Sequence, residues 1–125
     1  MTAVWLPLRA VIIIHDRQIS RHGGTPGIRD RGLIESACAR PLNLAAYGAP
    51  DLFDLSAGYA HGIAKAHGFV DGNKRTAFVS AVTFLGANGS RIQAPAVEVV
   101  RQMEGLAEDK VTAEDFAQWL RARTV

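Results

Sequence analysis

Two amphipathic stripes joined by one short loop constrain the fold of this chain more than any other feature. Leu52, Leu55, Tyr59 and Ile63 recur at spacings of three, four and four, which places them on one face of a helix. His67 falls one turn further along that stripe, and Gly68 is expected to supply the left-handed residue that ends the helix. After Arg75 a second stripe begins, with Phe78, Ala81, Val82 and Leu85 on one face and Asn88-Gly89 closing it. Between the two lies His67-Gly68-Phe69-Val70-Asp71-Gly72-Asn73-Lys74-Arg75. A histidine at one helix C-terminus therefore faces a loop that feeds the N-terminus of another helix.

That arrangement suits an anion. The first N–H groups of a helix have no partner within it, and the helix dipole adds partial positive charge there. A phosphate is a natural guest. Gly72 lets the backbone approach a ligand closely. Lys74 and Arg75 stand in the first turn, where the dipole disfavours cations, and an anionic ligand explains them better than stability does. Asp71 offers a hard oxygen suited to Mg²⁺ bridging phosphate oxygens. Phe69 is expected to plug the loop into the core. The competing view, a helical corner in which Asp-Gly-Asn is only a good turn, leaves His67 as a packed histidine. It does not account for a base, a carboxylate and two cations converging on one loop.

The segment His-x-Phe-x-Asp-Gly-Asn-Lys-Arg resembles the Doc variant of the Fic signature. The likeness continues through His15-Asp16, Ile19, Arg21, Gly23-Gly24, Gly27-Ile28-Arg29-Asp30, Gly32-Leu33-Ile34-Glu35-Ser36, Arg40-Pro41 and Phe84-Leu85 with Asn88-Gly89. It spans roughly residues 10 to 90, most of the chain.

The remaining sequence agrees with one all-α domain over residues 1–125, a bundle of about six helices, which is also the Fic/Doc fold that the resemblance implies. Residues 7–21 carry strand-forming Val11-Ile12-Ile13-Ile14, but Leu8, Val11, Ile12, His15 and Ile19 recur at helical spacing and Pro7 suits a first helical position. His15, on that stripe, reads as a packed, hydrogen-bonded histidine. Gly23-Gly24 ends the helix. Asp30 is expected to cap a short helix through about Ala39, with Pro41 stopping it and Leu42 to Pro50 forming an irregular, partly apolar connection. Asp51 caps the long helix leading to His67. Pro95 opens a helix with Val99, Val100 and Met103 inward, running into Gly105. Thr112 and Asp115 resemble a capping box for a last helix with Phe116, Trp119 and Leu120 on its apolar face.

Cys38 is the single cysteine and sits in an apolar stretch, so it reads as a buried structural thiol, and a reducing cytoplasm is the simplest setting. The longest apolar run near the N-terminus is the five residues Ala10 to Ile14, which gives no signal peptide and no membrane span. A net charge of +2 gives no case for direct nucleic-acid binding. The basic side is the N-terminal one, where residues 1–40 carry six arginines against three acids. Neither Arg21, which can reach a phosphate or simply pin a loop, nor Lys65 receives a role from the sequence.

Fic-like proteins transfer part of a nucleotide to a protein hydroxyl. By position, the resemblance makes His67 the general base, a task that suits a residue type titrating near neutrality. Asp71 becomes the Mg²⁺ holder, and Gly72, Asn73, Lys74 and Arg75 the cradle for the phosphates of ATP. The Doc likeness implies the toxin of a type II toxin–antitoxin module. Such a toxin is a protein kinase that transfers the ATP γ-phosphate to a threonine of elongation factor Tu, held in check by a Phd-like antitoxin. Two alternatives stand beside it: a Fic-type AMP transferase, and a non-catalytic module that only binds an antitoxin. AMP-transferring relatives read Gly-Asn-Gly-Arg-x-x-Arg where this chain has Lys74 for the second glycine and Phe78 for the last arginine. Self-restrained Fic enzymes carry Ser/Thr-x-x-x-Glu-Gly/Asn, whereas Glu104-Gly105 has Val100 at the Ser/Thr position.

Overall fold

The apolar periodicities resolve into helices throughout. A computed structural model describes residues 2–125, which form six α-helices: α1 (Leu8–His22), α2 (Arg31–Tyr47), α3 (Leu52–Ala66), α4 (Asn73–Ala87), α5 (Ala96–Ala107) and α6 (Ala113–Ala122). The ambiguous Val11–Ile14 stretch is helical, because Val11, His15 and Gln18 form one buried face.

α3 is the axis of the bundle. It packs against α2, α4, α5 and α6, and buries every residue from Leu55 to Ala60 as well as Gly62 to Ala64. A helix enclosed on all sides needs small or apolar residues all round, and α3 supplies Ser56, Ala57, Gly58, Ala60, Gly62 and Ala64 between its large side chains. Its buried hydroxyls are satisfied. Ser56 donates to the Ala81 carbonyl of α4 at 2.9 Å, and Tyr59 accepts from the Leu6 N–H at 2.9 Å. The start of α3 is a capping box in which Asp51 accepts from the Asp54 N–H and Asp54 accepts from the Asp51 N–H.

α2 departs from expectation. It does not stop at Pro41 but runs to Tyr47, so the stretch from Leu42 is helix rather than loop. A proline inside a helix deletes one backbone bond and costs roughly 3 kcal/mol. Packing offsets that cost here. Pro41 is buried, and a methyl group on Gly58 of α3 would lie 3.4 Å from its ring. Nearby, a methyl on Gly62 would sit 3.2 Å from the Ala37 carbonyl oxygen, the acceptor that Pro41 cannot serve. The two helices meet at their backbones, through small residues, and the proline is one of the surfaces in contact.

At the C-terminal end, α5 continues past Gly105, which packs under Val111. Of the three residues expected inward on α5, Met103 is buried and Val99 partly so, whereas Val100 is 54% exposed. Thr112 and Asp115 form the expected box, and Phe116 and Leu120 are fully buried. Cys38 is buried, which pushes its thiol up to about 11 and leaves it an inert packing residue.

Candidate active site

The loop between α3 and α4 is held from below and from one side. Phe69 is 1% exposed and stacks on His15 of α1 at a ring separation of 3.8 Å. His15 Nε2 donates to the Asp71 carbonyl at 2.8 Å, while its Nδ1 faces the Asp16 carboxylate at 3.2 Å. From the side, residues 27–30 run against the loop: Val70 N–H donates to the Gly27 carbonyl, and the Arg29 and Asp30 N–H groups both donate to the Gly68 carbonyl at 2.7 and 2.9 Å. Arg29 Nε adds a 2.7 Å bond to the His67 carbonyl. Gly68 is needed for this close approach, since a methyl there would fall 2.4 Å from Ile34 Cγ1. It is not the left-handed residue.

His67 is. The helix ends at Ala66, and His67 adopts φ 49°, ψ 41°, so the histidine lies outside the apolar stripe and is exposed. A non-glycine residue in that region is disfavoured by roughly 1–2 kcal/mol. Its carbonyl is fixed by Arg29 and its neighbours are clamped, so the surrounding loop imposes the conformation and turns the imidazole out of the bundle.

Asp71 is exposed, and its carboxylate is the loop's second anchor. The Thr25 N–H reaches Oδ2 at 3.1 Å and the Gly72 N–H reaches Oδ1 at 2.8 Å. These N–H groups, Thr25 first, hold the carboxyl below its ordinary range, with Arg75 and His15 adding to the effect. Gly72 follows as the N-cap of α4 at φ 76°, a conformation that favours glycine, and brings no side chain to occupy the N–H groups of the first turn. Asn73 spends both ends of its amide on Phe69: Nδ2 donates to the carbonyl and Oδ1 accepts from the N–H, each at 3.0 Å. Arg75 donates to the Gly23 carbonyl at 3.1 Å, and Lys74 is exposed at the mouth of the loop.

The sequence-derived set His67, Asp71, Gly72, Asn73, Lys74 and Arg75 thus comes together on one loop and the turn that follows it. The residues that sequence reasoning missed are the supports: Arg29, and His15 in its specific role beneath Asp71. Their partners lie 38 and 56 positions away in the chain. Lys65 is engaged elsewhere, at 2.7 Å from Asp109. Phe78 is only partly buried, with its ring 6.5 Å from that of Trp119.

A sequence model of the Fic/DOC family matches residues 5–85. The chain belongs to the Fic/DOC family. The match takes in α1, α2, α3 and most of α4, hence the whole of the loop and both its supports. The chain is 39% identical over 113 residues to the protein kinase doc of Escherichia phage P1, an alignment covering 89% of this chain and 88% of the relative. It is 44% identical over 75 residues to the toxin Doc of Mycolicibacterium smegmatis (strain ATCC 700084 / mc(2)155), covering 58% and 57% respectively. The Doc variant of the signature and the all-α fold expected from it are both present.

The donor set fits a magnesium–nucleotide complex. Magnesium is usually held by one or two carboxylates together with phosphate oxygens and water. Asp71 provides one exposed, ionised carboxylate beside the open N-terminus of α4. Among the described residues no three metal-ligating side chains converge. No helix among the described residues is long and apolar enough to cross a membrane.

Proposed function

We propose that this protein is a Doc-type toxin, a protein kinase that transfers the γ-phosphate of Mg²⁺-ATP to a threonine hydroxyl of elongation factor Tu, and that a Phd-like antitoxin restrains it. The observation that carries the reading is the pairing of an exposed, left-handed His67 with the uncapped N-terminus of α4, four residues of sequence separating His67 from Gly72. Arrest of translation and a cytoplasmic location follow from that target. The family match and the phage relative's name support the activity, and the resemblance supplies target and antitoxin.

In this mechanism His67 removes the proton of the attacking hydroxyl as its oxygen bonds to the γ-phosphorus, and the bond from that phosphorus to the bridging oxygen breaks to release ADP. The N–H groups of Asn73, Lys74 and Arg75 and the two cationic side chains meet the charge on the phosphoryl oxygens. Asp71 would hold Mg²⁺, which neutralises phosphate charge when bound. Asn73 contributes by fixing the loop through Phe69. Phosphoryl transfer requires mainly positioning and electrostatics, and this loop offers both.

Lys74 and Phe78 favour γ- over α-phosphate transfer. The lysine adds bulk and a point charge where the AMP-transferring pattern has glycine, and Phe78 cannot replace the bidentate grip of an arginine. Incubation with elongation factor Tu and Mg²⁺-ATP should therefore move label from the γ position and none from the α position. Label from the α position would convert the reading to AMP transfer, and a chain that labels nothing would be a binding module. His67→Ala should reduce transfer by about a hundredfold or more and abolish growth arrest, with the thermal midpoint and antitoxin binding retained. Arrest by that variant at equal expression would remove His67 from the role of base.

A further inference from the structure

Helices α2 and α3 leave a groove of about 710 Å³ open between them. Its floor is the place where they touch, Gly62 against Ala37. Along the α2 bank, Leu33, Ala37, Arg40, Leu44 and Tyr47 all line it, at spacings of four, three, four and three. That is the repeat by which one helix seats another, and it extends over about 21 Å of helix. Leu33 and Leu44 are 38% and 40% exposed, and Tyr47 is 91% exposed. A tyrosine so exposed does little for the fold, whereas tyrosine and arginine are residue types that anchor protein interfaces. Lys65 is the cation of the α3 bank, and among the described residues no acid lines the groove. The acids nearby are partly spent. Asp109 holds Lys65 at 2.7 Å. Asp54 and Glu114 share a smaller adjoining cavity of about 220 Å³ with Arg40, but Asp54 is held by Arg121 at 2.7 Å, and among the described residues Arg40 forms no ion pair.

The groove ends at the active site. The two helices run antiparallel, with Gly58 facing Pro41 and Gly62 facing Ala37, so the Leu33 end meets Ala66, the residue before His67. His67 does not line the groove but stands exposed at its mouth. We infer that the groove docks the substrate protein through an acidic amphipathic helix of about four turns, with the accepting hydroxyl just beyond the end of that helix that reaches Ala66. The inference rests on the kinase reading and adds to it a means of recognising a whole protein rather than one side chain. Charge selects this occupant over a second copy of the chain, since seam against seam would set Arg40 and Lys65 of one copy against the same cations of the other.

The test uses the full chain, Mg²⁺-ATP and elongation factor Tu, following γ-label transfer at varied substrate concentration. Arg40→Glu and Tyr47→Ala should each raise the KM for elongation factor Tu about tenfold. The kcat and the KM for ATP should stay within about twofold, with the thermal midpoint unmoved, and Arg40→Lys, which keeps the charge, should stay close to the wild-type KM. In parallel, the Tyr47→Cys variant is modified with a benzophenone maleimide, which the buried Cys38 does not take up, and irradiated with elongation factor Tu. The cross-link should fall on an acidic helix of that protein. A cross-link to a second copy of this chain, or to nothing, overturns the inference, and so does a KM that charge reversal leaves unchanged. Transfer with an unchanged KM keeps the kinase reading without this groove, whereas a cross-link to an acidic helix without transfer keeps the docking site and removes the kinase.

Discussion

His67 holds a strained backbone position that stability alone would give to glycine. The C-cap of a helix in the left-handed region is commonly glycine, and this chain has one available at the next position, yet uses Gly68 for close packing against Ile34 instead. Sequence patterning misplaces the two roles because it sees a glycine after a helix and cannot see Ile34 and the Asp30 carbonyl beside it. The imidazole is kept at a local cost, which makes the cost measurable. His67→Gly should raise stability by about 1 kcal/mol while eliminating phosphoryl transfer. Urea midpoints at constant m would check the first part, and a lower midpoint would mean that the histidine side chain contributes packing that outweighs its backbone strain. Other single-residue readings succeeded where the chemistry is local. Phe69 as a plug, Cys38 as a packing thiol and Thr112 with Asp115 as a cap depend on immediate surroundings or on spacing of three.

Among the helices, N-terminal caps were easier to read than the points where helices stop. Asp51 caps α3 because an N-cap acts on the next turn, a relation written directly in sequence. Pro41 misled because the compensation for a proline inside α2 lies in α3, at Gly58 and Gly62. The same cap also shows what sequence spacing leaves out: Arg121 of α6 donates twice to Asp51 at 2.9 Å and once to Asp54 at 2.7 Å, fastening the last helix to the start of the central one. Partial burial pushes the Asp51 carboxyl up, but the bonds from Arg121 and Asp54 outweigh it and the net displacement is downward. A carboxylate with a depressed folded pKa stabilises the fold above its unfolded value near 3.9, and that stability is lost as the pH falls through the lower folded value. Arg121→Met should therefore lower stability by about 1 kcal/mol at neutral pH, since the groups are partly exposed and screened. The difference from the wild-type chain should hold steady above about pH 5 and shrink below about pH 4. Urea midpoints at neutral pH and in acid measure both, and a difference that grows in acid would refute the assignment.

For the molecule as a whole, control is the question that the fold poses. Glu104 stands on α5 and lines, with Lys74 and Arg75, a cavity between α1, α4 and α5, a position from which a carboxylate could oppose phosphate binding within one chain. Two features argue against that use. Val100, one turn earlier, is an exposed aliphatic residue where self-restrained Fic enzymes carry a hydroxyl. Among the described residues, moreover, the ion pairs of α5 and its C-terminal turn run from Glu98 to Arg123, from Asp109 to Lys65 and from Glu108 to Lys110, and none joins Glu104 to the loop. Restraint is accordingly expected from a second chain. The isolated protein should transfer phosphate without any activating deletion, and Glu104→Gln should change the rate by no more than about twofold, as befits a substitution that removes no inhibitory contact. Steady-state transfer by the purified chain, with and without that substitution, decides the matter. An inactive wild-type chain that Glu104→Gln switches on would place the control within α5 itself and leave a separate antitoxin unnecessary for it.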